Sequence, residues 1–127
     1  MYNGFTEKEK IATLLTCAFI ANADNVFNGS EYAFFSILTI QMDAEEILKN
    51  ARMTQEEGFE IIRKMSIEKK EEVKRAWMKM WSFHSGGQYS GYFTLDHDRP
   101  EDRVIKTMAI ECDINVSGRI YIDDLSF

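Results

Sequence analysis

The chain has 127 residues, the size of one domain, and is 45% apolar and 28% charged, so it can bury a core of its own and is not an intrinsically disordered segment. Twenty-one acidic against fifteen basic residues give a net charge of −6, which opposes phosphate backbones and anionic lipid and argues against a nucleic-acid partner. No apolar run approaches the roughly 20 residues that a membrane helix needs, and residues 1–10 lack the order of a signal peptide, so a cytoplasmic protein that is not integral to a membrane is expected.

Between residues 6 and 83 proline and glycine are scarce, and apolar residues recur at intervals of three and four, the period of a helix. Thr6-Glu7-Lys8-Glu9 is a capping box, in which hydroxyl and carboxylate satisfy opposite backbone N–H groups, and it starts a first helix whose stripe is Ile11, Leu14, Leu15, Ala18 and Phe19. After a polar loop over 24–30, a second helix over 31–42 turns Phe34, Phe35, Leu38 and Met42 inward. Residues 43–46 cap a third helix. Thr54-Gln55-Glu56-Glu57 is a further box that opens a short fourth helix to residue 65, with Phe59, Ile62 and Met65 on its apolar side.

Ser66 caps a long fifth helix with the stripe Val73, Ala76, Trp77, Met80 and Trp81, ending near Gly86 and Gly87. Its basic residues, Lys69, Lys70, Lys74, Arg75 and Lys79, interleave with Glu68, Glu71 and Glu72 and read as a solvated face. Residues 86–97 form the longest irregular stretch, and Tyr89, Tyr92 and Phe93 within it predict a loop that folds back onto the domain. Pro100 suits the first turn of a last helix over 99–112, because its missing N–H is lost there without penalty. Beyond Asn115 and Gly118, weak alternation over 119–122 predicts a short extended arm. Cys17 and Cys112 sit among apolar residues with no second cysteine close by, and read as reduced core thiols. The expected fold class is all-α: a compact bundle of about six helices with a short extended C-terminal tail.

The two halves resemble each other. A shift of 70 lays 31–43 over 101–113, so that Phe34, Phe35, Leu38 and Met42 fall on Val104, Ile105, Met108 and Cys112, and Glu31 falls on Glu101. A shift of 62 lays the first helix on the fifth, with Asn22 over His84. A tandem helix-loop-helix duplication is therefore expected within a single domain: repeat one over 6–43, linker helices over 44–65, repeat two over 66–114 and a tail over 115–127.

Ala23-Asp24-Asn25-Val26-Phe27-Asn28-Gly29-Ser30-Glu31, set between two apolar helices, resembles the A-D-G-x-V-D-x-x-E signature of the TerB-like family associated with tellurite resistance. Asn25 and Asn28 stand where the signature has glycine and aspartate, and the spacing from Asp24 to Glu31 is kept. The resemblance implies an all-helical duplicated fold, acidic loop residues that bind a divalent cation, and roles in stress-response or membrane-associated complexes. It implies no defined catalytic reaction.

Asp24, Asn28 and Glu31 can bring two carboxylates and an amide oxygen to one loop, with Asp98 and Glu101 as counterparts in the second half, a donor set suited to Ca2+ or Mg2+. The loop is not an EF-hand, since Val26 and Phe35 hold its third and twelfth positions. The same residues also read as helix caps: Asn28 with Glu31, and Asp98 with Glu101. His84, Asp96, His97 and Asp98 are the cluster with the residue types for acid–base work, but no nucleophile elbow, metal-spaced Cys/His pair or phosphate-cradling loop accompanies them. The expected function is thus a non-enzymatic module that binds a divalent cation and contacts other proteins, or, as the alternative, a structural or interaction domain with no ion site, docking through Tyr89, Tyr92 and Phe93. Exposed aromatic and methionine residues leave homo-oligomerisation open.

Overall fold

The computed structural model describes residues 2–83, 91–95 and 98–122. The chain is mostly helical, as the apolar spacing predicts, with α1 (Glu7–Ala21), α2 (Gly29–Gln41), α3 (Glu45–Lys49), α4 (Gln55–Arg63), α5 (Ile67–Phe83), β1 (Gly91–Phe93), α6 (Pro100–Cys112) and β2 (Ile120–Ile122) in order. The expectations placed on His84, Gly86, Gly87, Tyr89, Asp96 and His97 lie outside the described residues.

The helix starts follow from their caps. Thr6 Oγ1 accepts the Glu9 N–H at 3.1 Å and Glu9 Oε1 accepts the Thr6 N–H at 2.8 Å, which closes the box at α1. Thr54 Oγ1 accepts the Glu57 N–H at the start of α4, and Ser66 Oγ accepts the Lys69 N–H at the start of α5. Pro100 takes the first position of α6, as its missing N–H allows.

α1 is the hub, packed against each of the other five helices. This corrects its expected stripe: Ile11 and Leu14 are buried, but so are Ala12, Thr13, Thr16, Cys17, Ile20 and Ala21, while Leu15, Ala18 and Phe19 are only half-buried. A helix enclosed on several sides has no single apolar face to read. Its two buried threonines are satisfied locally, Thr13 donating to the Glu9 carbonyl and Thr16 to the Ala12 carbonyl; Thr16 Oγ1 also accepts the Trp77 indole N–H at 2.8 Å. Gly58 lets α4 approach closely, since a Cβ there would stand 3.2 Å from Leu15 Cδ2.

The core gathers Leu14, Cys17 and Ile20 from α1, Phe34, Leu38 and Met42 around α2, Phe59 and Ile62 from α4, Val73 to Trp81 along α5, and Ile105, Met108 and Cys112 from α6. Both cysteines are buried free thiols. The second half of α5 is buried on every side, including Met78, Lys79, Ser82 and Phe83, and this corrects the reading of Lys79 as part of a solvated face. Its ammonium lies 5.8 Å from the centre of the Phe83 ring, with the aliphatic stem in the interior.

β1 lies within the stretch expected to be irregular. It pairs antiparallel with β2, the extended arm, in the register Gly91 to Ile122, Tyr92 to Tyr121 and Phe93 to Ile120. The ribbon turns Ile120 and Ile122 into the core and sets Phe93 edge-on to Trp81 at 5.4 Å.

Candidate functional site: two acidic helix starts and an aromatic ribbon

The loop between α1 and α2 is built by its own side chains. Asn25 has a φ of 64°, and asparagine is among the few residues that enter this left-handed region readily. Asp24 Oδ1 accepts the Val26 N–H at 3.0 Å and closes the turn. Asn28 Oδ1 then accepts the Glu31 N–H at 2.8 Å while Glu31 Oε1 accepts the Asn28 N–H at 3.1 Å, a complete capping box. Glu31 differs from the other boxed glutamates in having no exposure to solvent at all. A carboxylate facing the N-terminus of a helix is favoured there by the helix dipole.

The start of α6 is constructed differently. Arg99 holds the cap position without a side-chain cap, and Glu101 and Asp102 in the first turn are both fully buried. Asp98 does not cap the helix with Glu101, contrary to expectation. The helix starts one residue later, at Pro100, and Asp98 lies outside it in an exposed pair with Arg103 at 3.3 Å. Arg99 answers the buried acids instead, its Nε 3.3 Å from Glu101 Oε1 and its Nη2 3.5 Å from Asp102 Oδ1. The guanidinium lies over the Trp81 ring at 5.0 Å, and the Trp81 indole N–H donates to Asp102 Oδ1 at 2.6 Å.

Of the five candidate ligands, Asn28 and Glu31 are joined in the capping box and Asp24 closes the turn before it, whereas Asp98 and Glu101 part, one to solvent and one to the interior. Among the described residues no three His, Cys, Asp or Glu side chains come close enough to hold an ion together. Asp24 Oδ1, Asn28 Oδ1 and Glu31 Oε1 each accept a backbone N–H, so a hard cation, which takes roughly six to eight oxygens as Ca2+, would have to recruit further donors and loosen the Asn28–Glu31 box. No local pattern in the sequence groups Asp102 and Arg99 with Trp81. The signal for them is a run of five charges around Pro100, Asp98, Arg99, Glu101, Asp102 and Arg103, which reads equally as a solvated first turn.

On the outer face of the ribbon, Tyr92 and Tyr121 lie with ring centres 5.2 Å apart and Arg119 sits over Tyr92 at 4.7 Å, and all three side chains are exposed. Beside them a groove of about 380 Å³ is lined by Trp81, Tyr92, Phe93, Thr94 and Arg99. A larger groove of about 710 Å³ runs between Thr94 and Leu95, the outer side of α6 at Lys106 and Ile110, and residues 113–118. No helix among the described residues is long and apolar enough to cross a membrane. The cysteines are not reactive centres: burial pushes the Cys17 thiol far up, and burial with the neighbouring Glu111 charge pushes Cys112 up to about 12.

No known protein family, curated protein or solved structure matches this chain.

Proposed function

We propose that this chain is a non-enzymatic helical module, of the TerB-like kind its sequence resembles, that works through contacts with other proteins in a stress-response setting. The observation that carries the reading is the stacked, exposed trio of Tyr92, Tyr121 and Arg119 on a ribbon that is anchored to the core through Phe93, Ile120 and Ile122. Tyrosine and arginine dominate the energetic centres of protein interfaces, and a rigid platform spares part of the ordering entropy of binding. The test is affinity capture with the wild-type chain beside a Tyr92→Ser, Tyr121→Ser variant, with the fold followed by circular dichroism. Loss of the captured proteins at unchanged helicity is expected; an identical set captured by both chains would remove the ribbon from the reading.

A second reading, a divalent cation held at the acidic helix starts, is favoured by the complete burial of Glu31, Glu101 and Asp102. Carboxylate oxygens kept away from bulk water at a helix N-terminus are the hard donors that Ca2+ or Mg2+ would take. Thermal unfolding of the metal-stripped chain with Ca2+, Mg2+, Mn2+ and Zn2+ in turn decides it, beside a Glu31→Gln, Glu101→Gln variant. Ion at a hundred times its dissociation constant adds about 2.7 kcal/mol. A shift with one ion that vanishes in the variant supports the site, and no shift with any ion leaves an interaction module without one.

A further inference from the structure

We infer that Asn3 is a site of spontaneous covalent modification, by which the chain converts the turn before α1 into an isoaspartyl link and releases Tyr2 and Phe5 from the core. The sequence holds two Asn-Gly dipeptides, Asn3-Gly4 and Asn28-Gly29. This pairing favours attack of the backbone on the side chain, because glycine sets no Cβ beside its own nitrogen. Each dipeptide follows an aromatic residue, Tyr2 or Phe27, so local sequence does not separate them. Their settings in the fold do.

Asn28 is held. Its Oδ1 accepts the Glu31 N–H at 2.8 Å inside a complete capping box, and Gly29 is already the first residue of α2. Turning the Asn28 carboxamide onto the Gly29 nitrogen would undo the box and the first turn of the helix. Asn3 and Gly4, by contrast, are both exposed, and among the described residues no hydrogen bond holds the Asn3 side chain or the Gly4 N–H. They form the middle of a turn closed by a single bond, from the Phe5 N–H to the Tyr2 carbonyl at 3.2 Å, with Gly4 at a φ of 78°. Ring closure needs only a rotation of the Asn3–Gly4 peptide plane within that turn. A Cβ on either glycine would meet nothing within 4 Å, so the box, and not crowding, distinguishes the two sites.

The Gly4 nitrogen, its proton taken by hydroxide, attacks Asn3 Cγ. The new N–Cγ bond closes a cyclic imide, the Cγ–Nδ2 bond breaks, and the amide leaves as ammonia with a proton from water. Water then adds to one imide carbonyl. Opening at the Asn3 backbone carbonyl leaves the chain running through Cγ, an isoaspartyl link, and opening at Cγ leaves ordinary aspartate. Either route exchanges a neutral amide for a carboxylate.

The residues flanking the turn give the change its consequence. Tyr2 and Phe5 are buried with their rings edge-on at 5.3 Å, and the Tyr2 N–H donates to Glu72 on α5 at 3.0 Å. Tyr2 is kept at a φ of 60°, which a bulky side chain disfavours, so its seat depends on the turn that follows it. An isoaspartyl link adds a methylene to the main chain between the two rings and shifts the register that seats both.

Ageing of the folded chain in mildly alkaline heavy-oxygen water, followed by peptide mapping with mass spectrometry, tests it. In the folded chain Asn3 is expected to convert about tenfold or more faster than Asn28, and in denaturant, where no box protects Asn28, the two are expected to convert at comparable rates. The converted chain is expected to melt below an Asn3→Gln chain aged beside it, whose longer side chain closes such a ring far more slowly. Asn3 left intact in the folded chain, Asn28 keeping pace with it there, a tenfold difference that persists in denaturant, or a converted chain that melts with Asn3→Gln would each overturn the inference.

Discussion

The indole of Trp81 and the carboxylate of Asp102 are joined by a buried 2.6 Å hydrogen bond that ties the end of α5 to the first turn of α6. Arg99 closes the arrangement by lying over the Trp81 ring while approaching Asp102 and Glu101. Two carboxylates with no solvent exposure are thus set among an indole N–H, a guanidinium and a helix dipole, without which each would be strongly disfavoured in the interior.

Trp81→Phe keeps most of the packing and removes the donor, leaving Asp102 Oδ1 to Arg99 alone. A loss of about 1–3 kcal/mol in urea unfolding is expected, the usual cost of a buried acceptor deprived of its partner. Combined with Asp102→Ala, which removes the acceptor, the two changes should be non-additive because each abolishes the same bond. Additive losses would mean that the hydrogen bond contributes nothing of its own.

The start of α1 predicts a pH dependence with a definite sign. Burial pushes the Glu9 carboxyl up, but hydrogen bonds from Lys69 and from the Thr6 backbone and hydroxyl outweigh it and hold the group below its ordinary value of 4.5. A carboxylate whose folded pKa is depressed adds stability that is fully present above 4.5 and is lost as pH falls through the lowered value. Wild type and Glu9→Gln should therefore differ most in melting temperature near neutral pH and converge in acid. A difference that stays constant with pH would assign the effect to packing. Thr6→Ala, which removes the hydroxyl of the same box, is expected to cost about 1 kcal/mol.

How much of this was legible in the sequence differs by element, for physical reasons. The starts of α1, α2 and α4 are readable because a cap is a local pattern, Thr6 with Glu9, Asn28 with Glu31 and Thr54 with Glu57 specifying hydrogen bonds within four residues, and that of α6 because Pro100 fits a first turn, where its missing N–H is not needed. The buried side of α1 departs from its apolar stripe because five neighbours enclose it, which erases the contrast that periodicity depends on. β1 is not legible in the sequence because three residues cannot display an alternation, and its partner lies about thirty residues away, beyond any local rule. At the candidate site, the Asn28–Glu31 box was visible, whereas the grouping of Arg99, Glu101 and Asp102 with Trp81 was not. Adjacent charges in a first turn look alike whether they face water or an indole from another helix.

The two cysteines give a third prediction. With Cys17 pushed far up by burial and Cys112 up to about 12, neither is a thiolate at neutral pH, and both are enclosed. A thiol reagent at about pH 8 should label the folded chain only as fast as it opens, and should label both thiols at once in denaturant. Rapid labelling of one thiol in the folded chain would show an opening confined to α1 or to α6.

The ribbon also fixes how the molecule can come apart. β1 precedes α6 and β2 follows it, so the ladder from Gly91 to Ile122 closes the intervening chain into a ring around that helix. With the ladder closed, α6 can loosen at its C-terminal end only by the slack of residues 113–119, because its exit is held by the same three residue pairs that hold its approach. The helix and both strands therefore open together, and their amide protons share one exchange free energy set by the joint rupture of the ladder and of the contacts of Ile105, Met108 and Cys112 with the core.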